Sequence, residues 1–341
     1  MHSRVINTAS AMAVTVFMVG QASAATLADS YTSFWALGDS LSDNGNLSYL
    51  AYGVGTDWNY SDQAGTNAYY EGRFTNGRSW AEYVAEDFKA AGQANGNLAY
   101  GGAEALEDDT WWDLTPGLDY QRKTLIADHA SDFGDNPLVS IMIGANDLMG
   151  AMGDANILDI AIDAANKIAS TARTLAQNGV GDFLIANMPN LSTIPRYAMF
   201  QTSLQSTALA ASEAFNRQLA NNITDLRRDG VQVATLDLWS ILGDLQASPE
   251  AYGLTDGVRP CLYPNADAAA AYGEAEVCAE SDALSRLFFD SVHPSARVHE
   301  AFGEAVREAL APAPVPLPGT LPLMLGGALV FGLVRRKRKA A

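Results

Sequence analysis

Short apolar runs alternate with amphipathic stretches through most of the chain. The runs occupy residues 34–37, 98–100, 138–143, 183–186 and 231–236. Apolar residues recur at helical spacing over residues 80–91, 157–176, 204–228 and 296–310. Strands that alternate with helices are typical of a parallel sheet covered on both faces. The pattern predicts one α/β domain, with a five-stranded parallel sheet, over residues 25–310.

The N-terminal residues 1–24 have the pattern of a secretory signal peptide. Arg4 precedes a short apolar stretch over residues 11–20, and the small residues Ala22, Ser23 and Ala24 follow it. A basic start, an apolar core and an Ala-x-Ala site are the three parts of such a peptide. The sequence therefore predicts export, with a mature chain that begins near Ala25.

The C-terminal residues have a pattern of their own. Residues 311–319 are rich in proline and predict a stiff linker. Residues 320–341 contain an apolar segment at the short limit of a membrane span, followed by the basic residues 335–339. One interpretation is a plain membrane anchor whose basic end stays in the cytoplasm.

The same C-terminal segment also resembles the PEP-CTERM sorting signals of Gram-negative bacteria. Pro316, Leu317 and Pro318 stand where the usual signal has Pro-Glu-Pro, as in its Val-Pro-Leu-Pro variant. The resemblance implies an exosortase-like partner, contact with the membrane before processing, and a mature chain without the basic tail. It places the protein at the cell surface, in the periplasm or outside the cell of a Gram-negative bacterium.

Charge and cysteine content narrow the class of protein further. The net charge is −18 over 341 residues, which argues against binding to nucleic acid, because phosphates need Lys and Arg. The two cysteines, Cys261 and Cys278, both lie in the exported part of the chain. An even count in an oxidising compartment favours a disulfide, with two free buried thiols as the alternative.

Polar side chains follow three of the predicted strands. Ser40 comes after the first strand, Gly102 after the second and Asn146 after the third. A fourth cluster, which contains Asp290 and His293, comes just before the last predicted helix. Because sites in open parallel sheets form at the carboxyl ends of the strands, we expect these residues to meet at one edge.

The chemistry that these residues permit is nucleophilic catalysis. The hydroxyl of Ser40 needs a base, and a tight turn can bring Asp290 to one nitrogen of His293 while the other faces Ser40. The N–H of Ser40, the N–H of Gly102 and the side chain of Asn146 could then bind the oxyanion. Taken singly, Ser40, Gly102 and Asn146 are better explained as turn or cap residues, and it is their expected meeting at one edge that favours the catalytic interpretation.

Two further histidines and the absence of ligand motifs complete the chemical picture. His129 and His299 lie in helical contexts, which indicates a structural role. The histidines of the mature chain are scattered without the spacing of zinc ligands, so no metal and no cofactor are expected.

These motifs carry a family resemblance. The sequence resembles the SGNH hydrolases, also called GDSL-type lipases and esterases, in four blocks: 38–41, 97–103, 144–147 and 290–294. The resemblance runs from about residue 32 to about residue 306 and favours the bacterial branch with phospholipase, lecithinase and hemolysin-like members. It implies a three-layer, flavodoxin-like α/β/α sandwich. It also implies that Ser40 is the nucleophile, Gly102 and Asn146 are oxyanion donors, and His293 with Asp290 is the base. No Gly-x-Ser-x-Gly elbow surrounds Ser40, so the α/β-hydrolase fold is not indicated.

The resulting hypothesis is an exported serine ester hydrolase, of lipase, esterase or phospholipase-like type, acting on an ester or lipid substrate. One alternative is an acetylesterase of a surface polysaccharide, and another is a non-catalytic surface module that uses the fold to bind. Two long loops, residues 49–76 and 104–118, are expected to shape the substrate site. The tryptophans of the second loop, Trp111 and Trp112, either line that site or pack the loop onto the domain.

Overall fold

A parallel sheet forms the centre of the structure. The computed structural model describes residues 26–53, 69–106 and 115–311 of the chain. The strands in these ranges are β1 (Ser33–Gly38), β2 (Ala94–Asn97), β3 (Pro137–Met142), β4 (Asp182–Ala186) and β5 (Gln232–Leu236). They form a five-stranded sheet in the order β2-β1-β3-β4-β5, and all the pairings are parallel. This is the strand order of flavodoxin-like folds, and it confirms the five-stranded parallel sheet and the fold that the family resemblance implied.

Helices connect and cover the strands. In chain order, the described ranges contain α1 (Asn46–Gly53), α2 (Trp80–Ala90), α3 (Leu118–His129), α4 (Ala145–Gly150), α5 (Ile157–Gln177), α6 (Gln205–Arg228), α7 (Leu238–Ala247), α8 (Ala266–Ala270), α9 (Glu280–Ala283) and α10 (Ala296–Leu310). A π-helical turn, Arg196–Phe200, follows the loop after β4.

Neighbouring residues of β1 show that helices lie on both faces of the sheet. Phe34 packs against Trp80 and Phe88 of α2, with ring centroids 6.4 and 5.6 Å away. Trp35 packs on the other side against His129 at the end of α3, at 4.7 Å. Because successive side chains of a strand point to opposite faces, α2 and α3 cover opposite sides. Helix α10 packs on α2, and α5 packs on α6 and α3, which gives the three-layer sandwich.

The second strand does not lie where the sequence predicted it. The apolar run 98–100 was expected to form this strand, but β2 is the polar segment Ala94–Asn97 just before it. An edge strand needs little apolar character because it bonds on one side only, here to β1. The apolar run continues alongside β1, since the N–H of Leu98 donates to Ala36 and that of Tyr100 donates to Gly38.

The predicted long helices are confirmed, whereas shorter ones were not anticipated. Helices α2, α5, α6 and α10 begin and end within about one residue of the predicted bounds. The sequence did not predict α1, α4 or α7. A helix as short as α4, with six residues, spans too few turns to show a periodic pattern.

The region around the disulfide forms a second, smaller core. Cys261 and Cys278 are bonded to each other, 17 residues apart in sequence. Cys261 and Leu262 pack with Tyr69 and Phe289, apart from the main core of the sandwich.

Both predicted sorting segments lie outside the described residues, as do Trp111 and Trp112. A search of the described ranges finds no helix with the length and apolar character that a membrane crossing requires.

Candidate active site

Strand β1 places Ser40 at the carboxyl edge of the sheet. The strand ends at Gly38, whose carbonyl and N–H both bond the side-chain amide of Gln121 at 2.8 Å. A Cβ at position 38 would lie 2.5 Å from the carbonyl oxygen of Met142, so only glycine fits against β3 here. The chain then turns, and Ser40 is partly exposed.

A chain of hydrogen bonds runs from Ser40 into the protein. The Oγ atom of Ser40 lies 2.8 Å from Nε2 of His293. The other ring nitrogen, Nδ1, lies 2.7 Å from Oδ2 of Asp290. The distances are those that general-base activation of a serine needs, with a carboxylate holding the imidazole in one tautomer.

Asp290 is buried, and both of its oxygens are occupied. Oδ1 accepts the backbone N–H groups of Val292 and His293 at 2.8 and 2.7 Å. Oδ2 accepts the hydroxyl of Tyr69 at 2.8 Å as well as contacting the imidazole. Burial by itself raises the pKa of Asp290, but the charge of His293 and these hydrogen bonds outweigh it and leave the pKa below its ordinary value. The carboxylate is therefore ionised near neutral pH.

The turn between Asp290 and His293 is fixed from both ends. The N–H of Phe289 donates to the carbonyl of His293 at 2.8 Å, which closes the turn. On the far side α10 begins at Ala296 with Ser295 as its N-cap, and the N–H of Ala296 donates to the side chain of Asn76. Pro294 directly precedes this N-cap.

The loop that follows β2 contains two glycines, Gly101 and Gly102, and each is required for a different structural reason. Gly101 makes a close contact, since a Cβ there would lie 2.0 Å from the ring of Phe74. Gly102 has a φ of +80°, which favours glycine. The N–H of Gly101 donates to Asp43 at 2.7 Å and ties this loop to the turn after Ser40. Gly102 lies at the surface of the cavity that also contains Ser40.

The third strand-end loop brings Asn146 to the same cavity. Asn146 is the second residue of α4, whose N-cap is Gly144 with a φ of +114°. One N–H of its side-chain amide donates to the carbonyl of Ala103 at 2.9 Å. A primary amide has a second N–H, so Asn146 retains a donor for a ligand. The carboxylate of Asp147 binds the N–H groups of Ala105 and Leu106 and holds the same two loops together.

Two cavities adjoin Ser40. The larger has a volume of about 520 Å³ and is lined by the predicted site residues Ser40, Gly102, Asn146, Asp290 and His293. The smaller has a volume of about 40 Å³ and an apolar lining that includes Leu41, Leu191, Ile194, Leu238 and Val292. The site thus offers a broad polar space and a narrow apolar one next to the same hydroxyl.

Among the residues of the larger cavity that sequence reasoning did not single out are Tyr69 and Arg196. Tyr69, which donates to Asp290, lies in the long loop that was expected to shape the site. Arg196 lies beyond β4, and the position of that loop at the carboxyl edge of the sheet was the available signal.

The remaining histidines have packing roles in the structure. His299 is buried, its Nδ1 faces the N–H of Trp80 at 3.3 Å, and burial lowers its pKa to about 3. His129 stacks on Trp35. The described residues contain no group of side chains suited to hold a metal ion.

Asp39, next to Ser40, is a buried carboxyl group with an unusual pKa. Burial raises this pKa to about 7, although the N–H of Leu41 donates to the side chain at 3.0 Å. In an unfolded chain the pKa would be about 4. The folded state therefore holds a proton on Asp39 between pH 4 and 7 that the unfolded state has lost.

We expect Asp39 to make the folded state less stable as the pH rises from about 4 to about 7. Over that window the loss should approach about 1.4 kcal/mol per pH unit from this group. Asp39→Asn keeps the acceptor for Leu41 and removes the titration. Urea unfolding of both proteins from pH 4 to 8 should show the parent losing stability relative to the variant, and parallel curves would contradict the raised pKa.

Comparison with known proteins gives distant relatives of related chemistry. The thermolabile hemolysin of Vibrio parahaemolyticus is 25% identical over 80% of this chain, which spans 62% of the hemolysin, less than two thirds of its length. The phosphatidylcholine-sterol acyltransferase of Aeromonas hydrophila is 26% identical over 78% of this chain and 86% of that protein. An acetylesterase of Thermothelomyces thermophilus is 22% identical over 68% of this chain and 74% of the esterase.

The family itself is shown by a match over most of the domain. The sequence profile of the GDSL-like lipase/acylhydrolase family matches residues 35–306, a range that runs from β1 into α10. The prediction of an enzyme of the GDSL esterase and lipase class is confirmed at this level. The chain belongs to the GDSL-like lipase/acylhydrolase family.

Proposed function

We propose that this protein hydrolyses carboxylic esters through an acyl-enzyme on Ser40. The observation that carries the proposal is the pair of contacts at 2.8 and 2.7 Å that joins Ser40, His293 and Asp290 beside an open cavity. A non-catalytic binding module has no need of this arrangement, in which a buried carboxylate is kept ionised behind an imidazole.

In the first half of the reaction Ser40 attacks the carbonyl carbon of the ester. His293 takes the proton from Oγ through Nε2, and Asp290 stabilises the imidazolium that forms. The ionised state of Asp290, supported by its lowered pKa, is the state that this step requires.

The oxyanion that develops needs hydrogen-bond donors fixed in advance. The N–H of Ser40, the N–H of Gly102 and the free N–H of Asn146 have this role. Support comes from the bonds that hold their loops together, from Gly101 to Asp43 and from Asn146 to Ala103. Donors on loops tied in this way lose little energy to reorganisation during the reaction.

The first half ends when the tetrahedral intermediate collapses: the ester C–O bond breaks, His293 gives its proton to the leaving alkoxide, and the alcohol departs. In the second half water attacks the acyl group on Ser40, with His293 again as the base. The bond to Oγ then breaks, His293 returns the proton to Ser40, and the acid is released.

The size of the apolar cavity favours a short acyl group. A volume of about 40 Å³ holds about three water-sized groups, and its lining is apolar. An acetyl to butanoyl chain fits this space, whereas a fatty acyl chain exceeds it. This observation supports the second candidate function, an acetylesterase of a surface polysaccharide, and one relative carries the name acetylesterase.

Export follows from the signal-peptide pattern of residues 1–24 and agrees with the disulfide between Cys261 and Cys278. The C-terminal segment would then hold the protein at the membrane until an exosortase-like enzyme processes it at the surface of a Gram-negative cell.

Replacement of the nucleophile is the first test. We expect Ser40→Ala to abolish hydrolysis of p-nitrophenyl esters, because no other hydroxyl contacts His293 in the described structure. Assays on the exported domain with acetate, butanoate, octanoate and palmitate esters should give the highest kcat/KM for the two shortest chains.

The control for this test is Ser131→Ala, which changes an exposed serine outside the lining of both cavities and should keep full activity. Hydrolysis that survives Ser40→Ala would show that Ser40 is not the nucleophile. A preference for palmitate would remove the short-acyl proposal while leaving the serine mechanism in place.

Asn146→Ala is expected to lower kcat by about 10²–10³-fold, as the loss of one oxyanion donor does in other enzymes. Asn146→Asp, which keeps the size but replaces the donors, should be impaired as strongly. Asn221→Ala, at an exposed position of α6, serves as control. Thermal unfolding checks that each variant is folded, and an unchanged kcat would remove Asn146 from the mechanism.

The processing proposal predicts the mass of the mature protein. Protein recovered from the cell surface should begin near Ala25 and lack residues 335–339. Intact-mass analysis measures both ends at once, and a mass that includes the basic tail would count against processing.

A further inference from the structure

Arg196 brings a positive charge to the larger cavity. It begins the π-helical turn Arg196–Phe200 beyond β4 and lines the cavity together with Ser40, His293 and Met149. Its backbone N–H donates to the carbonyl of Ser291 at 2.8 Å. Because Ser291 lies in the turn that carries His293, this bond fixes the position of Arg196 relative to the imidazole.

The guanidinium of Arg196 differs from most others in the structure. Most other described arginines pair with carboxylates, as Arg73 does with Glu82, Arg286 with Glu274 and Arg307 with Asp87. Arg227 and Arg297 donate to backbone carbonyls. Arg196 instead has Nη1 3.5 Å from the sulfur of Met149 and a side-chain hydrogen bond to Tyr197, and no described carboxylate forms a salt bridge with it. A thioether sulfur is a weak acceptor and one tyrosine oxygen occupies few of the five N–H groups, so donors of this guanidinium remain available.

The larger cavity also contains acidic residues, and they do not form a salt bridge with Arg196. Glu104 and Glu276 also line it, and the chain as a whole carries a charge of −18. A protein with many carboxylates could pair this arginine, yet neither of these two reaches it. A partly buried guanidinium without a carboxylate is matched to an anion that arrives with a ligand.

We infer that Arg196 binds an anionic group on the alcohol side of the ester substrate. The inference rests on the proposed hydrolytic function and adds to it a charge on the substrate. Since the narrow apolar cavity takes the acyl group, the alcohol part of the ester occupies the larger cavity, where Arg196 lies.

Two sources of the anion share this chemistry. A phosphodiester of a short-chain phospholipid and a carboxylate of an acetylated uronic acid both present two oxygens to the planar fork of a guanidinium. The charge and the paired oxygens are what Arg196 recognises, and the position of the scissile ester sets its distance from Ser40.

The experiment compares Arg196→Gln and Arg196→Lys with the parent enzyme on two matched pairs of esters. The first pair is dibutanoyl phosphatidylmethanol, whose phosphodiester carries one net negative charge, and the neutral tributanoylglycerol. The second pair is tetra-O-acetyl glucuronic acid and penta-O-acetyl glucose, which differ by the carboxylate. The readout is the ratio of kcat/KM for the charged ester to that for the neutral ester, with KM measured separately.

We expect Arg196→Gln to lower this ratio by about 10–100-fold in one of the pairs, mainly through KM, because hydrogen bonds to a charged group are lost. Arg196→Lys should fall between, since it keeps the charge and loses the fork. A change confined to the first pair identifies a phosphodiester, and one confined to the second identifies a carboxylate. Ratios that stay the same in both pairs would overturn the inference.

Two controls separate this result from other failures. Arg217→Gln removes an exposed positive charge from α6 and should leave both ratios as they are, which excludes a general effect of net charge. Ser40→Ala should abolish hydrolysis of all four esters. If it does not, the proposed mechanism fails whatever Arg196 does, and if it does while the ratios stay constant, only the anion site is wrong.

Discussion

The buried carboxylate of Asp290 is the constraint on which the geometry of the site depends. It accepts four hydrogen bonds, from Tyr69, from two backbone N–H groups and from the ring of His293. A buried ion is costly unless every oxygen is satisfied, so loss of any partner destabilises the whole turn. His293 is therefore held towards Ser40 by the same bonds that keep Asp290 ionised. Tyr69 extends this constraint to the small core around the disulfide, where it packs against Phe289.

Two other buried carboxyl groups, those of Asp43 and Asp147, fix the neighbouring loops by accepting backbone hydrogen bonds. Asp43 accepts the N–H of Gly101, and Asp147 accepts those of Ala105 and Leu106. Burial raises the pKa of both groups, although these backbone hydrogen bonds work in the opposite direction. Burying these carboxyl groups costs electrostatic free energy. Their hydrogen bonds hold the loops after β1, β2 and β3 at fixed positions relative to Ser40.

The features that could be predicted from the sequence are those with a local pattern, such as strand ends and turns. Contacts between residues far apart in the sequence could not be predicted. Ser40 and His293 were found because a strand end and a turn leave a signature within a few residues. Strand β2 was misplaced because an edge strand bonded on one side carries polar residues that no apolar pattern marks. Tyr69 and Arg196 reach the cavity through contacts with residues 221 and 95 positions away, to Asp290 and Ser291, and no local pattern reports such a contact.

The charge of the whole protein bears on how an anionic substrate would reach Arg196. With a net charge of −18 on the full chain, the long-range field of the protein repels anions rather than steering them. At physiological ionic strength that field is screened beyond about 8 Å. Recognition of an anion must then be a short-range event inside the cavity, where the guanidinium is partly desolvated and its bonds are stronger. Selectivity for a charged ester would therefore appear in the stability of the bound complex more than in its rate of formation. In this acidic protein the guanidinium of Arg196 would therefore select an anionic ester through direct contact in the cavity, and long-range attraction would contribute little.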